Sequence, residues 1–278
     1  MKIFKTQRAL KLYLKPYLGK AVVGFVPTMG ALHDGHLSLI RKSKENSEVT
    51  VCSIFINPTQ FNNSSDFKNY PVDHSNDISL LESVGCDILF LPDDTHEVYQ
   101  NEKRKVVDIG NLANVLEGEH RPGHFEGVLR VVKLLFEIIE PTKAFFGLKD
   151  YQQYLVIKKM VAVLNMDIEI VGCEIVREEN GLAMSSRNKR LSELELENAL
   201  VLKEALNHSK AHFGKMNLKE LEQECFKILK SRSNPEYFNI CNASTLESID
   251  DESISKEIRA FVASSIGEVR LIDNMEIL

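Results

Sequence analysis

Three runs of apolar, largely β-branched residues constrain the fold of this chain most: 22–28 (VVGFVPT), 49–56 (VTVCSIFI) and 87–91 (DILFL). Their apolar residues do not alternate with polar ones. Each run therefore predicts a strand covered on both faces, as in a parallel sheet. Between them, segments 35–46 and 74–84 place apolar residues three and four apart, the spacing of a helix with one buried face. A longer apolar helix is expected over 125–139, closed by Pro141, then a short strand at 144–147, a helix at 151–164 and a strand at 168–171. Strand–helix alternation of this kind predicts a doubly wound, Rossmann-like α/β domain with right-handed crossovers.

After residue 176 the pattern changes. Asn180-Gly181 signals a hairpin turn between 174–177 and 182–184. Two charged helices, 192–212 and 218–231, and strand-like pieces at 237–241 and 268–272 follow. The expected organisation is a parallel-sheet domain over 1–176 and a smaller α+β domain over 177–278, hinged onto the first. With 278 residues, 44% of them hydrophobic, the chain has material for both cores.

A net charge of −6 argues against a chain built to coat nucleic acid, which takes its affinity from Lys and Arg on phosphates. The first twenty residues hold no long apolar run, so neither a signal peptide nor a membrane span is expected. Cys52, Cys86, Cys173, Cys225 and Cys241 form no CxxC pair; three sit in apolar runs, where a free thiol behaves as a small core residue, Cys52 and Cys173 are read as core, and a cytoplasmic protein is expected.

The most informative stretch is 27–36, PTMGALHDGH, directly after the first predicted strand and opening a helix. In a doubly wound sheet, ligands bind beyond the carboxyl ends of the strands. Gly30 and Gly35 allow close backbone approach, and the helix start aims free N–H groups at an anion. His33 and His36, three apart, can place both imidazoles on one side, a donor set suited to a phosphate gaining charge. Neither GxGxxG nor GK[ST] is present. The segment resembles the HxGH signature of the nucleotidyltransferase superfamily, in which ATP is attacked at its α-phosphate.

A second constellation is Met184-Ser185-Ser186-Arg187, whose two hydroxyls and one guanidinium suit the β- and γ-phosphates. It resembles the superfamily's Lys- and Ser-rich second phosphate loop. Lys149-Asp150 follows a predicted strand; Lys149 is a point charge for the α-phosphate, and Asp150 either orients a ribose or caps the next helix. His120 and His124 look like a metal pair, but Pro122 and Gly123 break helical register between them and no third ligand is evident.

Five segments, VPTMGALHDGH, FINPTQF, EGEHRPGHFEGV, FFGLKDYQQ and REENGLAMSSRN, resemble the motifs of the pantothenate synthetase family, in family order and across residues 20–190 almost continuously. The C-terminal part is similar more loosely, through GEVRLIDN. The resemblance implies an ATP-dependent ligase: pantoate is adenylated, then β-alanine displaces AMP to give pantothenate. It implies ATP contacts at Met29, Gly30, Ala31, Leu32, His33, Asp34, Gly35, His36, Gly147, Leu148, Lys149, Asp150, Val176, Met184, Ser185, Ser186 and Arg187. His36, with His33, would hydrogen-bond or protonate the phosphate region, and Lys149 would join them in catalysis. Gln60 would bind pantoate and border β-alanine, Gln153 would bind pantoate, and Val128, Val131 and Val132 would wall its gem-dimethyl group. Magnesium is implied as the counter-ion of ATP, its protein ligands left open because Asn76 interrupts the acidic stretch Asp73–Asp77. A homodimer and a C-terminal lid are implied as well. Val72, Leu148, Arg130 and Arg190 depart from the family pattern without removing a named ATP or pantoate contact.

Two rival readings remain in view. A different HxGH enzyme, such as a cytidylyltransferase or a class I aminoacyl-tRNA synthetase, would not call for Gln60 and Gln153 at a shared site. A catalytically dead nucleotide-binding module would have no physical need of His33, His36, Lys149, Ser185, Ser186 and Arg187 together.

Overall fold

The computed structural model describes residues 1–62, 64–100, 102, 107–249 and 257–278. The chain forms two compact units: Met1–Leu148 with Gln152–Glu174, and Lys149–Tyr151 with Ile175–Leu278.

The first unit is built on a six-stranded sheet: β1 (Lys2–Phe4), β2 (Val23–Thr28), β3 (Val49–Ile54), β4 (Ile88–Phe90), β5 (Lys143–Gly147) and β6 (Glu169–Cys173). Its order is β1-β4-β3-β2-β5-β6 and every pairing is parallel. The absence of alternation in the strand sequences has a direct cause: neighbouring residues serve two cores. Phe25, Val51, Ile88, Phe90, Ala144 and Phe146 pack on one side with the helix His124–Ile139. Val26, Cys52, Leu89 and Phe145 pack on the other with Ile40 and Leu81. Phe136 meets Phe25 and Phe146 edge-on at 6.2 and 6.5 Å. Each such ring, fully withdrawn from water, contributes about 1.5–3 kcal/mol. The helix ends at Glu140, which turns left-handed (φ 52°) just before Pro141.

The chain passes from β2 to β3 and β4 on one side and returns to β5 on the other, so the topological switch point lies between β2 and β5. Those two strands pair only at Gly24 with Lys143 and Phe25 with Ala144. Their carboxyl ends, Thr28 and Gly147, thus flank the crevice where such folds bind ligands.

Several expectations are corrected. The chain opens with β1 and a helix, Gln7–Leu14, so the PTMG segment follows the second strand, not the first. The short edge strand has too few residues to signal itself, and the helix buries only Gln7, Leu10 and Leu14 amid charged neighbours. The predicted hairpin around Asn180-Gly181 has no flanking strands; it is a turn with the single bridge Arg177 to Ala183.

The second unit carries the helices Glu193–His212 and Leu218–Lys230 and an antiparallel sheet of β7 (Asn234–Asn242), β8 (Ile258–Ile266) and β9 (Val269–Glu276). Ser192 and Glu195 form a reciprocal capping box that starts the first helix. Leu202, Leu206, Leu221, Leu229, Ile240 and Val262 make its core. β8 escaped the sequence reading because its small residues, Ala260, Ala263, Ser264 and Ser265, dilute the apolar run.

All five cysteines are free and buried. Burial pushes the thiols of Cys86, Cys225 and Cys241 up to about 12 and that of Cys173 to about 11, so they act as core groups and not as nucleophiles. Among the described residues no helix is long and apolar enough to cross a membrane.

Candidate active site

At the end of β2 the backbone turns sharply. Thr28 donates its hydroxyl to the Ser53 carbonyl at 2.8 Å and accepts the Gly30 amide at 3.3 Å. Gly30 and Ala31 are both left-handed, with φ of 82° and 52°. Glycine adopts that conformation without penalty; alanine resists it. The turn is held by Asp77, fully buried on the helix His74–Ser83, whose two carboxylate oxygens accept the amides of Ala31 (2.9 Å) and Leu32 (2.7 Å). A Cβ on Gly30 would stand 2.9 Å from the same carboxylate.

This turn delivers His33 as the N-cap of the helix Asp34–Asn46. His33 Nδ1 accepts the Gly35 amide at 3.1 Å. Nδ1 is therefore unprotonated, and in the neutral ring the proton sits on Nε2. The His36 ring lies 4.1 Å from that of His33, tilted by 44°. The two imidazoles thus share one side of the helix start, as their spacing predicts.

Gln60 closes the short 3₁₀ turn Pro58–Gln60 beyond β3, and its amide N–H donates to Met29 Sδ at 3.0 Å. The HxxH segment and the FINPTQF segment therefore meet. The EGEHRPGHFEGV segment is joined to both. His124 Nδ1–H donates to the Gln60 carbonyl at 2.8 Å, and Asn57 Nδ2 donates to the Gly127 carbonyl at 3.2 Å. Gly127 allows this close approach: a Cβ there would lie 2.4 Å from the Thr59 carbonyl oxygen. His124, for which the sequence offers no metal-ligand partners, is thus a strut for Gln60.

The two glutamines of KDYQQ divide their work. Gln152 is buried and structural, accepting the Glu117 amide and donating to the Leu112 and Val115 carbonyls, each at 2.8 Å. Gln153, the predicted ligand, is half-buried on the same helix. Val128, Val131 and Val132 lie in the main core. Gly147 ends β5, and Leu148 packs over Gly172, where a Cβ would stand 2.7 Å from Leu148 Cδ2.

The remaining predicted residues belong to the C-terminal unit. Lys149 Nζ lies 3.9 Å from the Asp150 carboxylate, and Lys149 is held through its carbonyl by Asn274 Nδ2 at 2.9 Å. Asn274 is in turn held by Arg259, which donates to its Oδ1 at 2.7 Å and covers the Tyr151 ring at 4.2 Å. The Met184 amide donates to the Val176 carbonyl at 3.0 Å. Ser185 caps the 3₁₀ turn Ser186–Arg190 by accepting the Arg187 amide at 3.3 Å, and Asn188 ties that turn to the Ala183 carbonyl. Arg177 grips buried Asp273 through two bonds of 2.7 and 3.0 Å. The sequence signalled Asp273 and Asn274 only as the close of GEVRLIDN; their anchoring of Arg177 and Lys149 explains the pattern.

The acidic stretch does not fit a protein-held magnesium ion. Asp73 caps its helix, accepting the Asn76 amide at 3.0 Å and the Ser75 hydroxyl at 2.8 Å, while Asp77 is committed to two amides. Among the described residues no group of three or more His, Cys, Asp or Glu side chains suits a metal.

A parallel sheet whose switch point adjoins a pair of imidazoles at a helix start defines a class, the doubly wound α/β proteins that take an anionic ligand at the carboxyl edge of the sheet. The family model for pantoate-beta-alanine ligase matches residues 2–276. Pantothenate synthetase of Cytophaga hutchinsonii is 46% identical over 92% of each chain, and that of Flavobacterium psychrophilum is 42% identical over the whole of both. The crystal structure of pantothenate synthetase from Thermus thermophilus superposes with a TM-score of 0.92 at 39% identity, covering 100% of this chain and 99% of that one. The pantoate-beta-alanine ligase of Francisella tularensis, complexed with beta-gamma ATP and beta-alanine, gives a TM-score of 0.84 at 36% identity over 100% and 98% of the two chains. This chain belongs to the pantoate–beta-alanine ligase family and is an enzyme of the ligase class.

Proposed function

We propose that the enzyme condenses (R)-pantoate with β-alanine at the expense of ATP, through a pantoyl-adenylate. A pantoate carboxylate oxygen attacks the α-phosphorus while the bond to pyrophosphate breaks. The β-alanine amine then attacks the acyl carbon, the bond to AMP breaks, and the amine sheds a proton to water. Activation is needed because a carboxylate offers no good leaving group. The protein's part is chiefly position and charge stabilisation.

His33 and His36 serve the phosphates, His33 through Nε2–H, since its Nδ1 is occupied by the Gly35 amide. Lys149, Ser185, Ser186 and Arg187 supply charge and hydroxyls to the phosphate chain, with the other residues of 29–36, 147–150, 176 and 184 around the nucleotide. Gln60 and Gln153 hold pantoate, and Gln60 borders β-alanine. Magnesium belongs to this reading as the counter-ion of ATP, carried by phosphate oxygens and water, with no protein ligand assigned. Residues 177–278 act as a lid that shields the adenylate from water. The enzyme works as a cytoplasmic homodimer on small molecules, with no nucleic-acid or membrane partner.

The observation that carries the reading is the bond from Gln60 to Met29, on the turn that leads into the paired imidazoles of His33 and His36, beside the switch point in a chain whose relatives match it end to end. AMP release from ATP and pantoate, measured with β-alanine, without it and with other amines, tests it. AMP formation that needs both pantoate and β-alanine is expected. His36→Ala should keep the fold by circular dichroism and lower turnover about a hundredfold. Near-wild-type turnover would remove His36 from the mechanism.

A further inference from the structure

The hydrogen bonds around Gln60 fix which end of its side chain faces outward. A backbone N–H can only donate, so the Asn57 atom that accepts the Thr59 amide at 3.3 Å is Oδ1. The Thr59 hydroxyl, at 3.0 Å, and the Tyr99 hydroxyl, at 2.7 Å, donate to the same oxygen. The other Asn57 terminus is then Nδ2, in agreement with its bond to the Gly127 carbonyl, which can only accept. Nδ2 donates its second hydrogen to Gln60 at 3.2 Å, so the Gln60 atom facing it is Oε1. Nε2 points the opposite way, toward Met29 Sδ.

Tyr99 makes the shortest of the three bonds to Asn57 Oδ1, and its ring is itself held. The Arg130 guanidinium covers it at 4.5 Å and is clamped by Glu102, with Nη2 donating to a carboxylate oxygen at 2.6 Å. Burial pushes the Tyr99 phenol up from its ordinary value, which keeps its O–H as a donor. The chain of constraint runs from Glu102 through Arg130, Tyr99 and Asn57 to Gln60.

We infer that Tyr99 is a positioning residue that, through Asn57, fixes the orientation of the Gln60 amide and presents its Nε2 hydrogens, so that this point of the site reads an oxygen acceptor of the substrate, a carboxylate or hydroxyl lone pair. The inference rests on the assignment of Gln60 to pantoate. It adds a polarity that the amide alone does not have, since a free glutamine offers both ends equally.

Tyr99→Phe keeps the ring beneath Arg130 and removes only the hydroxyl. The expected result is a three- to tenfold rise in KM for pantoate with KM for ATP unchanged. On a Gln60→Ala background the same substitution should have no further effect. Equal changes for both substrates, or additive effects in the double variant, overturn the proposal, because a merely structural loss has those signatures. Asn57→Asp is the sharper variant, since a second carboxylate oxygen facing Gln60 forces its amide to turn over. A pantoate KM above that of Tyr99→Phe is expected, and an unchanged KM refutes the inference. A readout independent of turnover separates this idea from the substrate assignment. In isotope-labelled wild-type enzyme the Gln60 side-chain NH₂ should show a nuclear Overhauser contact to the Met29 methyl, weakened in Tyr99→Phe and lost in Asn57→Asp. If the contact behaves so but pantoate does not support AMP release, the substrate reading fails and the positioning stands. If the contact is absent from wild type or survives Asn57→Asp, the positioning fails whatever the substrate.

Discussion

Asp77→Asn tests how the nucleotide turn is held. The aspartate is fully buried and accepts two consecutive amides, at 2.9 and 2.7 Å, from a turn whose Gly30 and Ala31 are both left-handed. Hydrogen bonds to a charged group contribute about 1.5–3 kcal/mol each, and an orphaned buried N–H costs about 1–3 kcal/mol. Asparagine can accept one of the two amides through its oxygen; its NH₂ must then face the other, donor against donor. Relief from burying a charge returns part of the loss, leaving a net destabilisation of roughly 2–4 kcal/mol. Because the turn sets His33 on its cap, the same change should lower kcat/KM for ATP more than tenfold in protein that remains folded. Urea unfolding gives the first quantity through its midpoint, and AMP release at saturating pantoate gives the second. Asp73→Asn is the control: Asp73 is an exposed helix cap, and asparagine caps about as well. If the acidic stretch instead held magnesium, both variants would weaken magnesium dependence together and excess metal would restore activity. A wild-type midpoint with unchanged kcat/KM for ATP in Asp77→Asn, or rescue by magnesium, would refute the clamp.

Gln153→Ala should raise Kd for pantoate by calorimetry while leaving ATP affinity near wild type; equal losses would count against its assigned role. Gly127→Ala should cost about 1–3 kcal/mol in urea unfolding, since its Cβ would press to 2.4 Å on the Thr59 carbonyl, a backbone atom that cannot swing aside; a neutral substitution would show that the helix can retreat. Glu222 accepts the Ile240 amide at 2.7 Å, but burial raises its carboxyl above the ordinary 4.5. A raised folded value means that its contribution is fully present below the unfolded pKa and is lost as pH rises through the folded one. Glu222→Gln keeps an acceptor for Ile240 and, with Lys219 as the nearby charge, should be more stable than wild type at pH 7–8, the advantage shrinking toward pH 4; urea midpoints across that range decide it.

Elements with one dominant physical signal were legible in the sequence. The helix His124–Ile139 announced itself by a long apolar stripe and Pro141, and β2 and β3 by unbroken apolar runs, because strands serving two cores have no polar face to display. β8 was not legible, since Ala260, Ala263 and Ser264 dilute its apolar residues and carry little hydrophobic signal even when fully buried. The flanks of Asn180-Gly181 show the opposite error, a strong turn signal whose neighbours form one bridge and no ladder.

The site shows the same divide between groups assigned to ligands and groups that hold the backbone. His33 and His36 drew notice by residue type, spacing and place after an apolar strand, and Gln60 only through the family resemblance. Asn57, Asp77, Gln152 and Asn274 were not recognised for what they do, because each ties down a backbone group far away in sequence: Gly127, Ala31, Val115 and Lys149. Pairings of that range leave no local pattern, only an isolated polar residue in a motif that a sequence reader credits to substrate. A buried polar side chain inside a ligand motif is therefore as much a sign of backbone held in place as of ligand contact. Among these side chains of the parallel-sheet unit accessibility separates the two cases: Gln152, Asn57 and Asp77 are buried, whereas Gln60, Gln153 and both imidazoles keep exposed surface; Ser186 in the other unit is buried although assigned to phosphate. The residues with surface left to offer are the ones on which direct substrate effects should fall. The buried set should act through geometry, reaching a substrate only through the group it positions, as Asn57 does through Gln60 and Asp77 through the turn that carries His33.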